Sequence, residues 1–287
     1  MFKEIENNLK TKGWHLFEGI VPANVMEFLI KECEAMKSRF IKDWHKNKPS
    51  VKFDVTKFPP MQRLRPAWLA FEQPQMRRMP FRNLITENFH KFVTNKIFTD
   101  IARQLLSTKD IALFGGYNLR PKIKEQSWNV TPPHADFQAW RETSENNVLT
   151  SPSEAMVLTF WTPLCKVNKN KSCLRISEYK LSLSDQQYLI KEGISIEESS
   201  IMGNLNFTDI EMSPTDLLIF DHQVVHCSNP NNSDEVVWVM DWRYQKQKKP
   251  IEGLLYGFDI PENLSSEEIH SSYSEWKNRM QNLHADN

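Results

Sequence analysis

The sequence predicts a mainly β protein, an antiparallel barrel or sandwich flanked by helices from both ends of the chain (α+β). Two observations carry this. Between Ile111 and Tyr244 short apolar runs alternate with turn-forming residues, without regular helical crossovers between them. Helical periodicity is confined to the flanks and to one polar insertion. At 287 residues the chain is one large domain or two small ones. It carries no internal repeat, so the expected organisation is a single domain: a helical part over about 1–110, a β core over about 111–245 and a helical extension over 246–287.

Lys12–Gly19 reads as a short strand between glycines. Val25, Leu29, Cys33, Met36 and Phe40 recur every three or four residues and predict a helix packed on a sheet, with Asn24 able to cap it. From His45 to Pro80 the periodicity vanishes. Prolines punctuate this stretch, and Arg63, Arg65, Arg77, Arg78 and Arg82 lie in or just beyond it among aromatic residues. A loop this long suggests either a lid whose arginines meet an acidic substrate or a solvated surface wrap. A second helix is expected over Thr86–Leu106, burying Phe89, Phe92, Val93, Ile97, Ile101 and Leu105. The predicted strands are Ile111–Leu119, Trp128–Trp140, Met156–Leu164, Leu174–Ser177, Asp216–Phe220, Val224–Cys227 and Val236–Tyr244. Ser184–Glu192 is a short helix in the insertion. Ser265 and Glu268 form a capping box for a last helix that buries Tyr273, Trp276 and Met280.

Lysine plus arginine and aspartate plus glutamate balance at 36 each, so no global field attracts nucleic acid or an anionic membrane. The four cysteines are scattered without a CxxC pair, which argues against a zinc ribbon or a disulfide framework. No apolar leader and no membrane-length run is present. These features suit a cytoplasmic monomer or homodimer acting on a small molecule.

The chemistry concentrates in Pro132-Pro133-His134-Ala135-Asp136 and in Asp221–His226. In an extended segment His134 and Asp136 share a face. With His226 they make two imidazoles and a carboxylate, a set that leaves three adjacent metal positions open and suits non-haem Fe(II) oxygen chemistry. About 0.4 His-x-Asp triplets are expected by chance in this composition, and the chain holds a second, His284-Ala285-Asp286, in a polar tail. Context favours the first copy. His226 lies on an apolar strand, and Arg243 on its hairpin neighbour. An arginine on a mostly apolar strand either reaches water at the strand end or needs an anionic partner, and its planar fork suits a carboxylate. His222 reads as a turn residue, and Cys227 as a small apolar group on the opposite face from His226.

Several fragments occur in a recognisable order: Gly13–Val21, Pro133-His134-Ala135-Asp136 with Trp140, Cys173–Ile176, Ser213–Phe220 and His226–Asn231. Together they resemble the phytanoyl-CoA dioxygenase family of Fe(II)/2-oxoglutarate oxygenases over nearly the whole chain. The resemblance implies a double-stranded β-helix (jelly-roll, cupin-type) barrel. It also implies Fe(II) on the catalytic ligands His134, Asp136 and His226, 2-oxoglutarate as co-substrate, O2, and stimulation by ascorbate. The expected outcome is oxidation of an unactivated C–H bond of a small acidic metabolite, as in secondary metabolism, by hydroxylation, desaturation or cyclisation. The arginine that holds the far carboxylate of 2-oxoglutarate in this family aligns with Val237. Arg243, six residues on and on the same face, is expected to take that role, helped by Thr159 or Thr162, with Arg175 as a substitute. Arg120, Trp140 and Arg65 are the expected substrate contacts. The family's Pro-Gly-Ser-His turn is replaced by Ser177-Glu178-Tyr179-Lys180. Members that halogenate lack the carboxylate, so Asp136 favours hydroxylation-type chemistry. Two other readings stay open: a non-catalytic ligand-binding relative, and a cupin metalloenzyme that does not use 2-oxoglutarate.

Overall fold

The computed structural model describes residues 2–74, 84–126, 130–141, 157–247, 256–263 and 265–285. The helices are α1 (Phe2–Thr11), α2 (Ala23–Asn47), α3 (Leu64–Ala70), α4 (Glu87–Val93), α5 (Lys96–Leu105), α6 (Asp136–Arg141), α7 (Leu183–Glu192) and α8 (Ser266–Ala285). The strands are β1 (Trp14–Phe17), β2 (Ile111–Lys122), β3 (Val157–Pro163), β4 (Leu174–Lys180), β5 (Phe207–Ile210), β6 (Leu217–Asp221), β7 (Val224–Ser228), β8 (Val237–Lys246) and β9 (Tyr256–Ile260). They form a six-stranded sheet in the order β1-β6-β3-β8-β2-β9 and a three-stranded sheet in the order β5-β4-β7. Every pairing among the described residues is antiparallel.

The large sheet is buried on both faces, which is why β3 and β6 read as continuous apolar runs rather than alternating ones. Strand parity sorts its residues. Trp161, Leu218, Phe220, Val237 and Val239 meet Leu174, Ile176 and Val224 of the small sheet in one core. Leu158, Phe160, Leu217, Ile219, Trp238, Met240 and Trp242 point the other way, into a core shared with α2, α4, α5 and α8. Trp242 sits between Phe92, Phe98 and Phe160, with ring centroids 4.9, 5.0 and 5.6 Å away.

Four sequence expectations need correction. The helix expected over Thr86–Leu106 is two helices, because Asn95 turns the chain and its side chain caps α5 through the Ile97 amide. Both helices bury their apolar faces in the same core, so the periodicity runs across the break. Asn24 does not cap α2; Pro22 stands at the cap position without a side-chain bond. The stretch from His45 is more regular than its prolines suggest. α2 continues to Asn47, and α3 follows two single 3-10 turns, with Leu64, Ala67, Trp68 and Phe71 buried. Of its arginines, Arg77, Arg78 and Arg82 lie outside the described residues. Finally, the described part of the Trp128–Trp140 segment is no strand. It makes one isolated bridge, His134 to His226, and enters α6 at Asp136. Pro132 and Pro133 have no N–H to donate, so a ladder cannot run through them. The sequence also hid α1, β5 and β9.

The expected capping box at Ser265 and Glu268 is present at the head of α8, and Trp276 and Met280 are buried beneath it. Among the described residues no helix is long and apolar enough to cross a membrane.

One glycine ties this frame to the functional strand. Gly13 has φ +82° and accepts a hydrogen bond from the Asp221 amide at the β6–β7 turn. A Cβ there would lie 2.2 Å from Val224 Cγ2, two residues before His226. Gly13→Ala is therefore expected to destabilise the protein by at least about 2 kcal/mol through left-handed strain and overpacking. Urea denaturation checks it, and a change within about 0.5 kcal/mol would contradict this account.

Candidate metal centre

His226 stands in the middle of β7 and faces the space between the sheets. The backbones of His134 and His226 exchange two hydrogen bonds, of 3.0 and 2.9 Å. This places the two imidazoles side by side, with ring centroids 4.2 Å apart. One step later the chain enters α6, and Asp136 swings in beneath them. Its Oδ1 lies 3.9 Å from His134 Nε2 and 3.8 Å from His226 Nε2. One ligand atom from each residue falls within 4.8 Å of the others. Asp136 shares the site not through strand alternation, as expected from sequence, but because a helix start follows a single bridge.

The imidazole tautomers follow from their neighbours. His134 Nδ1 lies 2.8 Å from the Pro132 carbonyl oxygen, and His226 Nδ1 lies 3.1 Å from that of Val224. A carbonyl only accepts, so each Nδ1 carries the proton and each Nε2 keeps a bare lone pair facing Asp136. Burial lowers the pKa of both rings; for His226, burial and then His134 push it down to about 3. Two neutral nitrogen donors and one anionic oxygen are the donor set of a 2-His-1-carboxylate metal site, and they fit Fe(II).

Asp136 is 3% exposed. Burial alone would raise its pKa, but Arg243 overturns that and holds the carboxyl well below the usual range. Arg243 Nε donates to Oδ2 at 2.8 Å, and Nη2 donates to Oδ1 at 3.0 Å. Thr159 Oγ1 donates to Oδ2 at 2.5 Å. Arg243 Nη1 donates to the Gly116 carbonyl at 2.7 Å and to Asp241 Oδ2 at 2.8 Å. The register explains the geometry. Arg243 pairs with Thr159 on one side and with Phe114 on the other, and a bulge between Phe114 and Asn118 offers the Gly116 carbonyl.

This revises several sequence expectations. Arg243 is committed to Asp136 rather than open to a co-substrate, and Thr159 is committed with it. Thr162 lies on the opposite face of β3 and donates to the Asp216 carbonyl at 2.9 Å. Arg175 is paired with Asp209 at 3.3 Å and half exposed, away from the cluster. Arg65 forms an ion pair with Glu125 at 2.5 Å and another with Asp234, also away from it. Arg120 does reach the site, where it contacts Thr131 and approaches Asp241. The side chain of Trp140 lies outside what is described, as does Asp286 of the second His-x-Asp copy. His222 pairs with Asp221 at 2.8 Å rather than joining the cluster. Val237, where the resemblance led us to expect an arginine, is a buried valine that pairs with Lys122 of β2.

His134, His226 and Arg243 line a cavity of about 50 Å³, together with Arg120, Lys122, Trp161, Phe220 and Asp241. Sequence reading missed Asp241 and gave Lys122 no specific role. The available signal was parity: Asn118, Arg120 and Lys122 alternate along β2, facing Asp241, Val239 and Val237.

Replacing Arg243 by methionine leaves a buried carboxylate without its counter-ion. The expected loss is about 3–5 kcal/mol of stability, read from denaturant midpoints. Mn(II) affinity is expected to fall about 10–100-fold, as for other residues that orient a ligand. Unchanged Mn(II) binding in a folded variant would remove Arg243 from this role.

The family model described as phytanoyl-CoA dioxygenase (PhyH) matches residues 10–236. No curated protein sequence matches the chain. Among solved structures, AviO1 from Streptomyces viridochromogenes Tue57 is 12% identical, with a TM-score of 0.56 over 88% of this chain and 97% of that one. EctD from S. alaskensis with bound Fe is 15% identical, with a TM-score of 0.55 over 86% and 77%. The non-heme alpha ketoglutarate dependent epimerase SnoN from nogalamycin biosynthesis is 13% identical, with a TM-score of 0.51 over 92% and 86%. At these identities the likeness is one of fold, and it agrees with the expected jelly-roll. The family match spans most of the chain and includes the two histidines and the carboxylate: the chain belongs to the phytanoyl-CoA dioxygenase (PhyH) family.

Proposed function

We propose that this protein is an Fe(II)- and 2-oxoglutarate-dependent oxygenase that oxidises an unactivated C–H bond of a small acidic metabolite. The observation that carries this reading is the convergence of His134, Asp136 and His226 on one point beside a cavity. Among solved proteins of the same fold, SnoN is seen with Fe3+ and alpha ketoglutarate together, and EctD with bound Fe in one structure and with 2-oxoglutarate in another. Bound iron would activate O2 and couple oxidative decarboxylation of 2-oxoglutarate, to succinate and CO2, to oxidation of the substrate.

The chain's own residues supply positioning and charge. The Pro132 and Val224 carbonyls keep the Nε2 lone pairs of His134 and His226 aimed at the metal. Arg243 and Thr159 hold Asp136 ionised and in place. Trp161, Phe220 and Val239 line the cavity and exclude water from it. Three cationic side chains, Arg120, Lys122 and Arg243, line the cavity against the carboxylates Asp136 and Asp241 around it. With a divalent metal the lining is strongly cationic, so it suits an acidic co-substrate and an acidic substrate. Arg120, half exposed, is placed to meet the substrate's anionic group.

A second reading has one observation in its favour. Both carboxylate oxygens of Asp136 already accept from Arg243, which engages lone pairs that a metal would use. Succinate release under Fe(II), ascorbate and 2-oxoglutarate separates the two readings. The oxygenase releases succinate, and Asp136→Ala lowers that release at least ~100-fold, in line with loss of a metal ligand. Metal-dependent turnover that survives in Asp136→Ala would defeat the ligand assignment. Binding of 2-oxoglutarate without any succinate would favour the non-catalytic reading.

A further inference from the structure

We infer that Lys122 is the counter-ion for the far carboxylate of the 2-oxo acid that binds at His134, Asp136 and His226. This rests on the oxygenase reading above and adds the residue that would select a dicarboxylate.

Lys122 ends β2 and is 4% exposed. Among the described residues no carboxylate lies within ion-pair distance of its ammonium, and no hydrogen bond satisfies it. A buried ammonium without a partner is costly, and such groups are normally paired. Burial, and then nearby Arg120, push its pKa down to about 7 against the opposing pull of Asp241. An anion placed beside it would restore the full charge.

Its place in the cavity says which anion fits. Lys122 lines the same space as His134 and His226. Along β2 it follows Asn118 and Arg120 on one face, at the opposite end from the Gly116 carbonyl that holds Arg243. Its cross-strand neighbour Val237 is apolar and offers no counter-charge. The same cavity is lined by the apolar side chains of Trp161, Leu174, Phe220 and Val239. A cavity that combines metal ligands, apolar walls and a buried cation complements a short chain with a chelating 2-oxo acid head and a carboxylate tail. The other cations do not compete for that tail. Arg243 is bound to Asp136 and Asp241, Arg175 pairs with Asp209 away from the cluster, and Arg120 is partly exposed and contacts Thr131.

The test is calorimetry on the Mn(II)-loaded protein with two ligands: 2-oxoglutarate, and 2-oxopentanoate, which has the same chain without the far carboxylate. Wild type is expected to prefer 2-oxoglutarate by about 30-fold or more, the scale of one buried charge-assisted contact. Lys122→Met should abolish that preference by weakening 2-oxoglutarate alone, with 2-oxopentanoate and Mn(II) affinities within about threefold of wild type. Lys122→Arg should restore part of the preference. Removing an unpaired buried charge should also raise the melting temperature of the ligand-free protein, so weaker binding cannot be put down to misfolding. Lys122→Met that still prefers 2-oxoglutarate, or that weakens both ligands equally, would overturn the assignment while leaving the oxygenase reading intact. A wild-type Mn(II) protein that binds neither ligand would overturn both.

Discussion

The site depends on one buried ion pair, Asp136 with Arg243. Both side chains lie between two sheets, where an isolated charge costs several kcal/mol. Together they make a bidentate pair, with Thr159, Asp241 and the Gly116 carbonyl completing the bonding. The pair links α6, β3, β8 and the β2 bulge at one point. It also sets the chemistry, because a carboxylate kept ionised and aimed at two imidazoles is a ready anionic ligand.

The rest of the frame brings those partners together. β7 belongs to the small sheet and β8 to the large one, so His226 and Arg243 face each other across the interior although hairpin neighbours in sequence. Pro132 and Pro133 have no N–H to give to a ladder. The single bridge at His134 then lets the chain turn into α6 with Asp136 at its first position. Behind the large sheet, Trp242 and its aromatic neighbours hold β8 against the helices, so alternate residues of one strand serve the core and the site.

The cations around the cavity divide the work. Arg243 faces the protein's own carboxylates. Lys122 faces the cavity, and Arg120 lies nearer to solvent. Val237 stands where the sequence resemblance led us to expect an arginine, and a lysine on the neighbouring strand stands opposite that valine. A cation can be moved between paired strands without moving the space it serves, because directly opposed side chains lie about 5 Å apart.

The order of apolar runs and breakers determined the β core and its flanking helices, since burial on both sheet faces leaves a pattern within each strand. The letters His134, Asp136 and His226 were legible too, because their spacing and apolar context set them apart from the copy at His284. The split at Asn95 was not legible, because both helices bury into one core and keep one periodicity. Nor were the partners of Arg243, the outward turn of Thr162 or the isolation of Lys122. Sequence fixes which residues of one strand share a face, since that period is local. What faces them from the next strand depends on register and on a bulge at Gly116, and these are settled only when the sheets assemble.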